Sequence, residues 1–244
     1  MKSPYSWLPR ILQTLAWVPG RIILHIFFRL RVHGAEHVRA AATMRGASGV
    51  IFAVTHVSEF DPVILLSGIS PLSPLFPMQY VLAPTKHFKN PGFGWRRYVY
   101  GPNFFSAWGA YPIVPGLHDY SKSLEKHVDL LKGGKSVCIF PTGGVGHEGE
   151  VKPAHGGVAY LAETANAIVV PVLIKGTNLN NISWFSFLTG RHDFCITYGE
   201  PLRASALVHD TDPVPERYKV AAEYLMSVIM RLRVSVPPAL MKAV

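Results

Sequence analysis

Short runs of β-branched and other apolar residues recur along this chain, and stretches with helical spacing separate them. Each run is bounded by glycine, proline or polar residues, which is the pattern of a buried strand. Strands that alternate with helices predict an α/β fold, with a mostly parallel central sheet flanked by helices. Pro171 lies inside one run and predicts an edge strand or a bulge there, because proline cannot donate to a sheet. The runs are residues 49–54, 80–83, 110–114, 136–140, 168–174 and 194–198.

Helical spacing occupies segments between these runs, at residues 118–131, 154–165 and 215–231. A shorter helix is predicted to begin with Asp61 as its N-cap and Pro62 as its first residue. The chain has 244 residues, which is enough for a domain with its own hydrophobic core. We therefore predict one domain over residues 36–244, preceded by a separate segment over residues 1–35.

Residues 1–35 form the most lipid-like part of the sequence. Two apolar blocks, at residues 11–18 and 22–30, are separated by Pro19-Gly20-Arg21. Neither block reaches the roughly 20 apolar residues of a membrane-spanning helix. The segment contains five lysines and arginines, and the first acidic residue is Glu36. We predict interfacial helices that attach the protein to a membrane surface, with their cationic side chains directed toward anionic lipid.

This segment is also compatible with a signal peptide, with a core helix pair whose arginines extend to the surface, and with one kinked spanning helix. The whole chain has 49% apolar and only 16% charged residues, which excludes intrinsic disorder. Its net charge of +9 suits an anionic partner. Because the basic excess is concentrated in an apolar segment and no nucleic-acid motif is present, we predict no nucleic-acid partner.

His56 stands two residues after the strand predicted at residues 49–54, and Asp61 stands five residues later. Functional groups of α/β proteins collect where strands end. The turn between the two residues can bring the Asp61 carboxylate next to the His56 imidazole. A carboxylate that accepts from Nδ1 leaves Nε2 as a general base. Such a base can deprotonate a hydroxyl or amine that attacks a thioester. A purely structural histidine is the alternative that this spacing leaves open.

A glycine-rich turn, Pro141-Thr142-Gly143-Gly144, follows the strand predicted at residues 136–140. Backbone amides in such a turn can hold an anion, although a tight turn that needs positive φ accounts for the glycines equally well. His147 and His155 flank this turn and either line an acceptor site or face solvent. The two cysteines, Cys138 and Cys195, lack the spacing of a zinc site, so we predict no metal.

These features resemble the glycerolipid acyltransferase family, which includes 1-acylglycerol-3-phosphate acyltransferases. The resemblance rests on His56-x4-Asp61-Pro62, on the later Phe140-Pro141-x-Gly143 and on Val170-Pro171, and it covers residues 45–200. It implies transfer of a fatty acyl group from acyl-CoA or acyl carrier protein to a hydroxyl or amine of a lysophospholipid-like or other lipid acceptor.

The resemblance also implies residue roles. His56 is expected to be the catalytic base and Asp61 its orienting partner. No cofactor is expected apart from the acyl donor, and the thioester supply implies the cytoplasmic face of a membrane. The alternative function is a catalytically inactive lipid-binding scaffold of the same fold. The expected substrate-binding residues are Ser58, Lys86, Phe140, Pro141, Thr142, Gly143 and Gly144.

The sequence departs from the family pattern on the acceptor side. Pro115 and Val145 stand where the family has arginines, and Thr142 stands where it has glutamate. Neither proline nor valine can replace the paired hydrogen bonds of a guanidinium to phosphate. We therefore expect that catalysis is retained while acceptor choice has changed. Either the acceptor lacks a phosphomonoester or its phosphate is held differently, and Glu148 or Glu150 is available to replace the lost glutamate.

Overall fold

A seven-stranded sheet forms the centre of this protein, whose computed structural model describes residues 7–114, 119–146, 152–177, 193–209 and 216–233. The strands are β1 (Arg31–His33), β2 (Val50–Val54), β3 (Met78–Leu82), β4 (Ala110–Pro112), β5 (Ser136–Ile139), β6 (Ile168–Lys175) and β7 (Cys195–Tyr198). Their order is β1-β7-β6-β2-β5-β3-β4, and each pair is parallel except β6 with β7. This architecture confirms the predicted α/β fold with a mostly parallel sheet.

Helices cover both faces of the sheet and create two hydrophobic cores. Neighbouring strand residues point to opposite faces, so Phe52 belongs to one core and Ile51 to the other. The first core lies under α1, α2, α3 and α5, and the second lies under α7 to α10. The helices are α1 (Leu8–Phe28), α2 (Ala35–Met44), α3 (Asp61–Ser67), α4 (Arg96–Val99), α5 (Pro102–Ala107), α6 (Tyr120–Ser123), α7 (Glu125–Lys132), α8 (Gly157–Thr164), α9 (Ala204–Leu207) and α10 (Glu216–Arg231).

Pro171 lies inside the sheet, in β6 between β2 and β7, so its predicted edge position is wrong. The N–H and C=O groups of one strand residue point toward the same neighbour. The carbonyl of Pro171 accepts a hydrogen bond from the Gly199 amide at 2.8 Å, on the β7 side. Because β7 ends at Tyr198, the missing N–H falls just beyond the ladder, where proline is tolerated.

Two predicted helices have different bounds in the structure. The segment predicted at residues 118–131 forms α6 and α7, which are separated at Leu124, and His118 lies outside the described residues. The helix α3 begins at Asp61 itself, with Phe60 at the N-cap position, one residue earlier than predicted. The reason is that the Asp61 carboxylate turns back to the preceding loop instead of capping its own helix.

The helix α1 is continuous over 21 residues, so the two apolar blocks are not separate helices as predicted. Pro19 lies inside it, and a proline removes one intrahelical hydrogen bond while the bonds of adjoining turns remain. By length and composition alone, α1 is long and apolar enough to cross a membrane. The division of the chain at residue 35 stays a prediction, although the sheet already begins with β1 at Arg31.

The inner face of α1 combines polar contacts with apolar packing of Leu24 and Phe28, whereas its outer face is mainly aliphatic. On the inner face, Gln13 exchanges hydrogen bonds with the N–H and C=O of Met78, and the Trp17 indole donates to a backbone carbonyl of the domain. Arg10 and Arg21 also donate to domain carbonyls. Their guanidinium groups therefore face the protein, and the prediction that they face lipid is wrong. The outer face exposes aliphatic side chains, namely Ile11, Leu15, Val18, Ile22, Ile23 and Ile26.

Candidate active site

His56 and Asp61 meet at the carboxyl end of β2. The turn that follows this strand carries His56, and Asp61 is the first residue of α3. Nδ1 of His56 lies 3.0 Å from Oδ2 of Asp61, whose side chain is fully buried. The carboxylate fixes the tautomer that carries hydrogen on Nδ1, and this leaves Nε2 of His56 able to accept a proton.

Asp61 receives three further hydrogen bonds. The amides of Val57 and Ser58 donate to Oδ2 at 2.7 and 2.9 Å, and the Thr177 hydroxyl donates to Oδ1 at 2.8 Å. A buried charge is tolerated only when its oxygens are satisfied in this way. The four donors together hold the carboxylate in one orientation against the imidazole of His56.

Thr177 is a site residue that the sequence analysis missed. It lies 116 residues after Asp61, and no local motif marks it. The strand β6 runs parallel to β2 with Val172 opposite Val54, so the segment that follows β6 arrives beside the His56 turn. Only the order of strands in the sheet reveals this proximity.

The glycine-rich turn after β5 holds His56 from the other side. The ring of Phe140 stacks on the imidazole with centroids 4.0 Å apart, and the Gly146 amide donates to the His56 carbonyl at 2.8 Å. Gly143 has a φ of 71°, and a Cβ there would lie 3.0 Å from the His155 ring. A residue with a side chain is therefore disfavoured at position 143, both by its backbone and by its neighbour.

His56 opens into a cavity of about 960 Å³. Small-molecule sites have volumes of about 300–1,000 Å³, so this cavity is large enough for an extended ligand. Its walls are mainly apolar and come from α1, α3, β3, the residues between β3 and β4, and the glycine-rich turn. Its aromatic lining residues are Trp17, Tyr80, Phe88, Phe93, Tyr100, Phe104, Phe105, Trp108, Tyr120 and Phe140.

Four of the predicted substrate-binding residues, Phe140, Pro141, Gly143 and Gly144, line this cavity together with His56. They belong to one turn, which follows the strand next to β2 in the sheet. His155 also lines the cavity, with its ring against Gly143. These residues are therefore placed where a ligand held near His56 would meet them, and their binding roles stay predictions.

The other three predicted contacts lie elsewhere. Ser58 is buried, and its hydroxyl accepts a hydrogen bond from the Phe60 amide at 3.2 Å, which stabilises the turn before α3. The Thr142 hydroxyl donates to the Gly144 carbonyl at 3.4 Å. Lys86 is exposed on a 3-10 turn. Their roles stay predictions, and Pro115, His147, Glu148 and Glu150 lie outside the described residues.

Tyr80 lines the cavity below His56, and burial raises the pKa of its hydroxyl well above the ordinary value. The neutral hydroxyl donates to the Pro62 carbonyl at 3.1 Å, which ties β3 to the start of α3. Within the described ranges there is no group of three or more His, Cys, Asp or Glu side chains able to hold a metal ion.

Comparison with known proteins agrees with this arrangement. A family model described as Acyltransferase matches residues 29–175, more than half of the chain. The fold is similar to the crystal structure of the 1-acyl-sn-glycerophosphate (LPA) acyltransferase PlsC from Thermotoga maritima, with a TM-score of 0.59 and 15% sequence identity. The match covers 97% of this chain and 84% of that chain, and at this identity it shows the fold alone. The family model shows that this chain belongs to the acyltransferase family of enzymes.

Proposed function

We propose that this protein transfers a fatty acyl group from a thioester donor, acyl-CoA or acyl carrier protein, to a lipid-like acceptor. The observation that carries this proposal is the His56–Asp61 pair at the mouth of a large apolar cavity. A base beside an apolar cavity suits a reaction in which a polar nucleophile meets a long acyl chain.

In the proposed step, Nε2 of His56 accepts the proton of the acceptor hydroxyl or amine while the acceptor oxygen or nitrogen bonds to the thioester carbon. The tetrahedral intermediate then collapses with cleavage of the carbon–sulfur bond. The imidazolium of His56 returns its proton to the departing thiolate, which yields the free thiol. Asp61 stabilises the imidazolium between these events, so no acylated residue of the enzyme is required.

The glycine-rich turn is proposed to border the oxyanion. The amide of Gly143 already donates to the Phe140 carbonyl at 2.9 Å, so it serves the turn itself. Gly144 is exposed and lines the cavity next to it, which makes its amide the better donor to a developing oxyanion.

The aromatic walls are proposed to hold the acyl chain. Phe88, Phe104 and Phe105 pack against one another and face the same cavity as Trp17 of α1. Such walls offer an acyl chain apolar surface without polar groups to desolvate. Because α1 supplies part of the cavity wall, we propose that the acyl chain lies between α1 and the rest of the domain.

We further propose that α1 attaches the protein to the cytoplasmic face of a membrane. Its outward face exposes aliphatic side chains, with Leu15 68% and Ile26 62% exposed, while Gln13, Trp17 and Arg21 bond to the domain. Trp95 and Tyr98 add an exposed aromatic pair beside Arg97, on α4 and the residue before it. Aromatic and cationic side chains together favour the headgroup region of anionic lipid.

The transfer is tested by incubating the purified protein with a long-chain acyl-CoA or acyl carrier protein and a panel of lipid acceptors. Thiol release and the mass of the product are measured, and His56→Ala is compared with the wild type. We expect a new acyl ester or amide whose formation falls by at least about 10²-fold in the variant. Lipid binding without thiol release from either donor would instead indicate the inactive scaffold.

Membrane attachment is tested by co-sedimentation with vesicles. The double variant Leu15→Glu with Ile22→Glu places charges on the outer face of α1, and we expect about 10²-fold weaker partitioning. The control Val220→Glu changes an equally exposed aliphatic residue on α10 and is expected to bind as the wild type does. Equal binding by all three proteins would contradict attachment through α1. Comparison of neutral with anionic vesicles tests the preference for anionic lipid.

A further inference from the structure

Among the described residues, the cavity lining includes one carboxylate, which is paired with an arginine outside the lining. Among the described residues that line the cavity, Glu59 supplies a carboxylate, and none is lysine or arginine. Glu59 lies in the turn between His56 and Asp61, so its carboxylate is carried by the same short segment as the base. The turn that carries the base therefore contributes a carboxylate, and no lysine or arginine, to the cavity lining.

An ion pair keeps Glu59 at this edge. The Arg96 guanidinium donates to the Glu59 carboxylate at 2.5 Å, and the same guanidinium lies 5.7 Å from the centroid of the Phe93 ring. Glu59 raises the pKa of Arg96 above its ordinary value, as expected for a close opposite charge. The pair joins the His56 turn to α4 at the cavity edge. The Arg96 guanidinium is therefore already bound to a carboxylate of the protein.

Near the glycine-rich turn, the side chain that lines the cavity at the position of the family arginine is apolar. Val145 lines the cavity with 47% of its surface exposed, beside Gly143 and Gly144. The Lys152 ammonium donates to the Val145 carbonyl at 2.9 Å and is not among the residues that line the cavity.

A phosphomonoester carries nearly two negative charges at neutral pH, and recognition normally requires guanidinium or ammonium partners. Transfer of such a group from water to an apolar edge next to a carboxylate is unfavourable both in solvation and in Coulomb energy. A hydroxyl or amine on a headgroup without net negative charge avoids both penalties.

We propose that the acceptor is a lipid whose headgroup has no net negative charge, and that Glu59 is a specificity-determining residue that disfavours phosphomonoesters. This inference rests on the proposed acyl transfer and names the acceptor class of the same site. The fatty acyl group is transferred from the thioester, and the acceptor proton passes through Nε2 of His56 to the departing thiolate, as in the proposed reaction. Arg96 acts through Glu59, as the residue that holds the carboxylate and reduces its charge.

The test compares kcat/KM for acceptors that share one acyl chain: a monoacylglycerol, a lysophosphatidylethanolamine, a long-chain amine and lysophosphatidic acid. A non-ionic detergent in large molar excess carries all four, so that the carrier itself adds no surface charge. We expect at least one of the first three to exceed lysophosphatidic acid by about tenfold or more. Lysophosphatidic acid as the best acceptor would overturn the proposal, including the case in which Lys152→Met abolishes its use.

Two variants of opposite sign test the part played by Glu59. We expect Glu59→Gln to narrow the preference against lysophosphatidic acid by about threefold or more, and Arg96→Gln to widen it, because the carboxylate then lacks its cation. The matched control Glu223→Gln removes an exposed carboxylate of α10 and is expected to leave the preference unchanged. An unchanged preference in Glu59→Gln would overturn its assignment. No acylation of any acceptor by the wild type would instead refute the proposed transfer itself.

Discussion

Replacement of Asp61 by asparagine removes one charge from the site and preserves most of its shape. The asparagine oxygen can accept from the His56 imidazole and from the amides of Val57 and Ser58, as Oδ2 of the carboxylate does. Its NH₂ group then faces the Thr177 hydroxyl, which can reverse its hydrogen bond and act as acceptor. The variant should therefore fold, and its activity should report on the lost charge.

The magnitude follows from the 3.0 Å separation of Nδ1 and Oδ2. At an effective dielectric constant of about 20, two unit charges at this distance attract by roughly 5 kcal/mol. The attraction exists only while His56 is an imidazolium, so it lowers the barrier and not the energy of the resting enzyme. Asparagine keeps part of this attraction as a hydrogen bond, so only part of the roughly 5 kcal/mol is lost. At 1.36 kcal/mol per factor of ten in rate, we expect kcat to fall by about 10²- to 10³-fold.

The assay is single-turnover thiol release with enzyme in excess over the acyl donor, together with thermal unfolding of each protein. Asp129→Asn, a change of an exposed carboxylate on α7, is the matched control and should retain wild-type rates. A folded Asp61→Asn enzyme that retains more than a tenth of wild-type kcat would refute the electrostatic reasoning. A loss confined to KM would also refute it, because Asp61 is placed to act on the imidazolium and not on substrate binding.

Three further predictions concern positions around this site. Thr177→Val removes a donor to Asp61 and is expected to lower kcat about tenfold with little change in KM, whereas Thr177→Ser restores it; equal kcat in both variants would contradict this role. Gly143→Ala is expected to lower the free energy of unfolding by about 1–2 kcal/mol, because φ is 71° there; Gly144→Ala, whose added Cβ meets nothing within 4 Å, is the neutral control in urea unfolding. Burial lowers the pKa of His127 to about 4. The unfolded chain therefore binds the extra proton first, and stability falls as pH drops from about 6.5 toward 4, by about 2 kcal/mol at pH 5. His127→Gln should lack this part of the pH dependence, and an unchanged profile would show that another group causes it.

Six of the seven strands of the sheet were predictable because most of them are buried on both faces, whereas the half-buried β1 was not among the predicted runs. Val50–Val54 is buried throughout, so its sequence is a continuous apolar run that local pattern recognises. The position of a strand within the sheet was not predictable from local pattern, because it depends on crossovers between distant segments. For that reason the sequence indicated the strand that contains Pro171 but predicted an edge position or a bulge for it, although it lies inside the sheet between β2 and β7.

The candidate site divides in the same way. The contact of His56 with Asp61 spans five residues and a single turn, so the spacing was enough to predict it. The hydrogen bond from Thr177 needs β6 beside β2, which only the assembled sheet supplies. The direction of Arg10 and Arg21 was also beyond the sequence, because charge spacing along a helix does not reveal which face meets the protein.

The central claim is that His56 takes the acceptor proton during direct transfer from the thioester. Its most direct test is one quenched-flow experiment in which a labelled acyl donor, an acceptor and either wild type or His56→Gln are mixed and all species are weighed by mass spectrometry. We predict labelled acceptor from the wild type without any acylated form of the protein, and a rate at least about 10²-fold lower from the variant. Labelled acceptor at a similar rate from His56→Gln, or an acylated protein that forms and decays at the rate of turnover, would contradict the account.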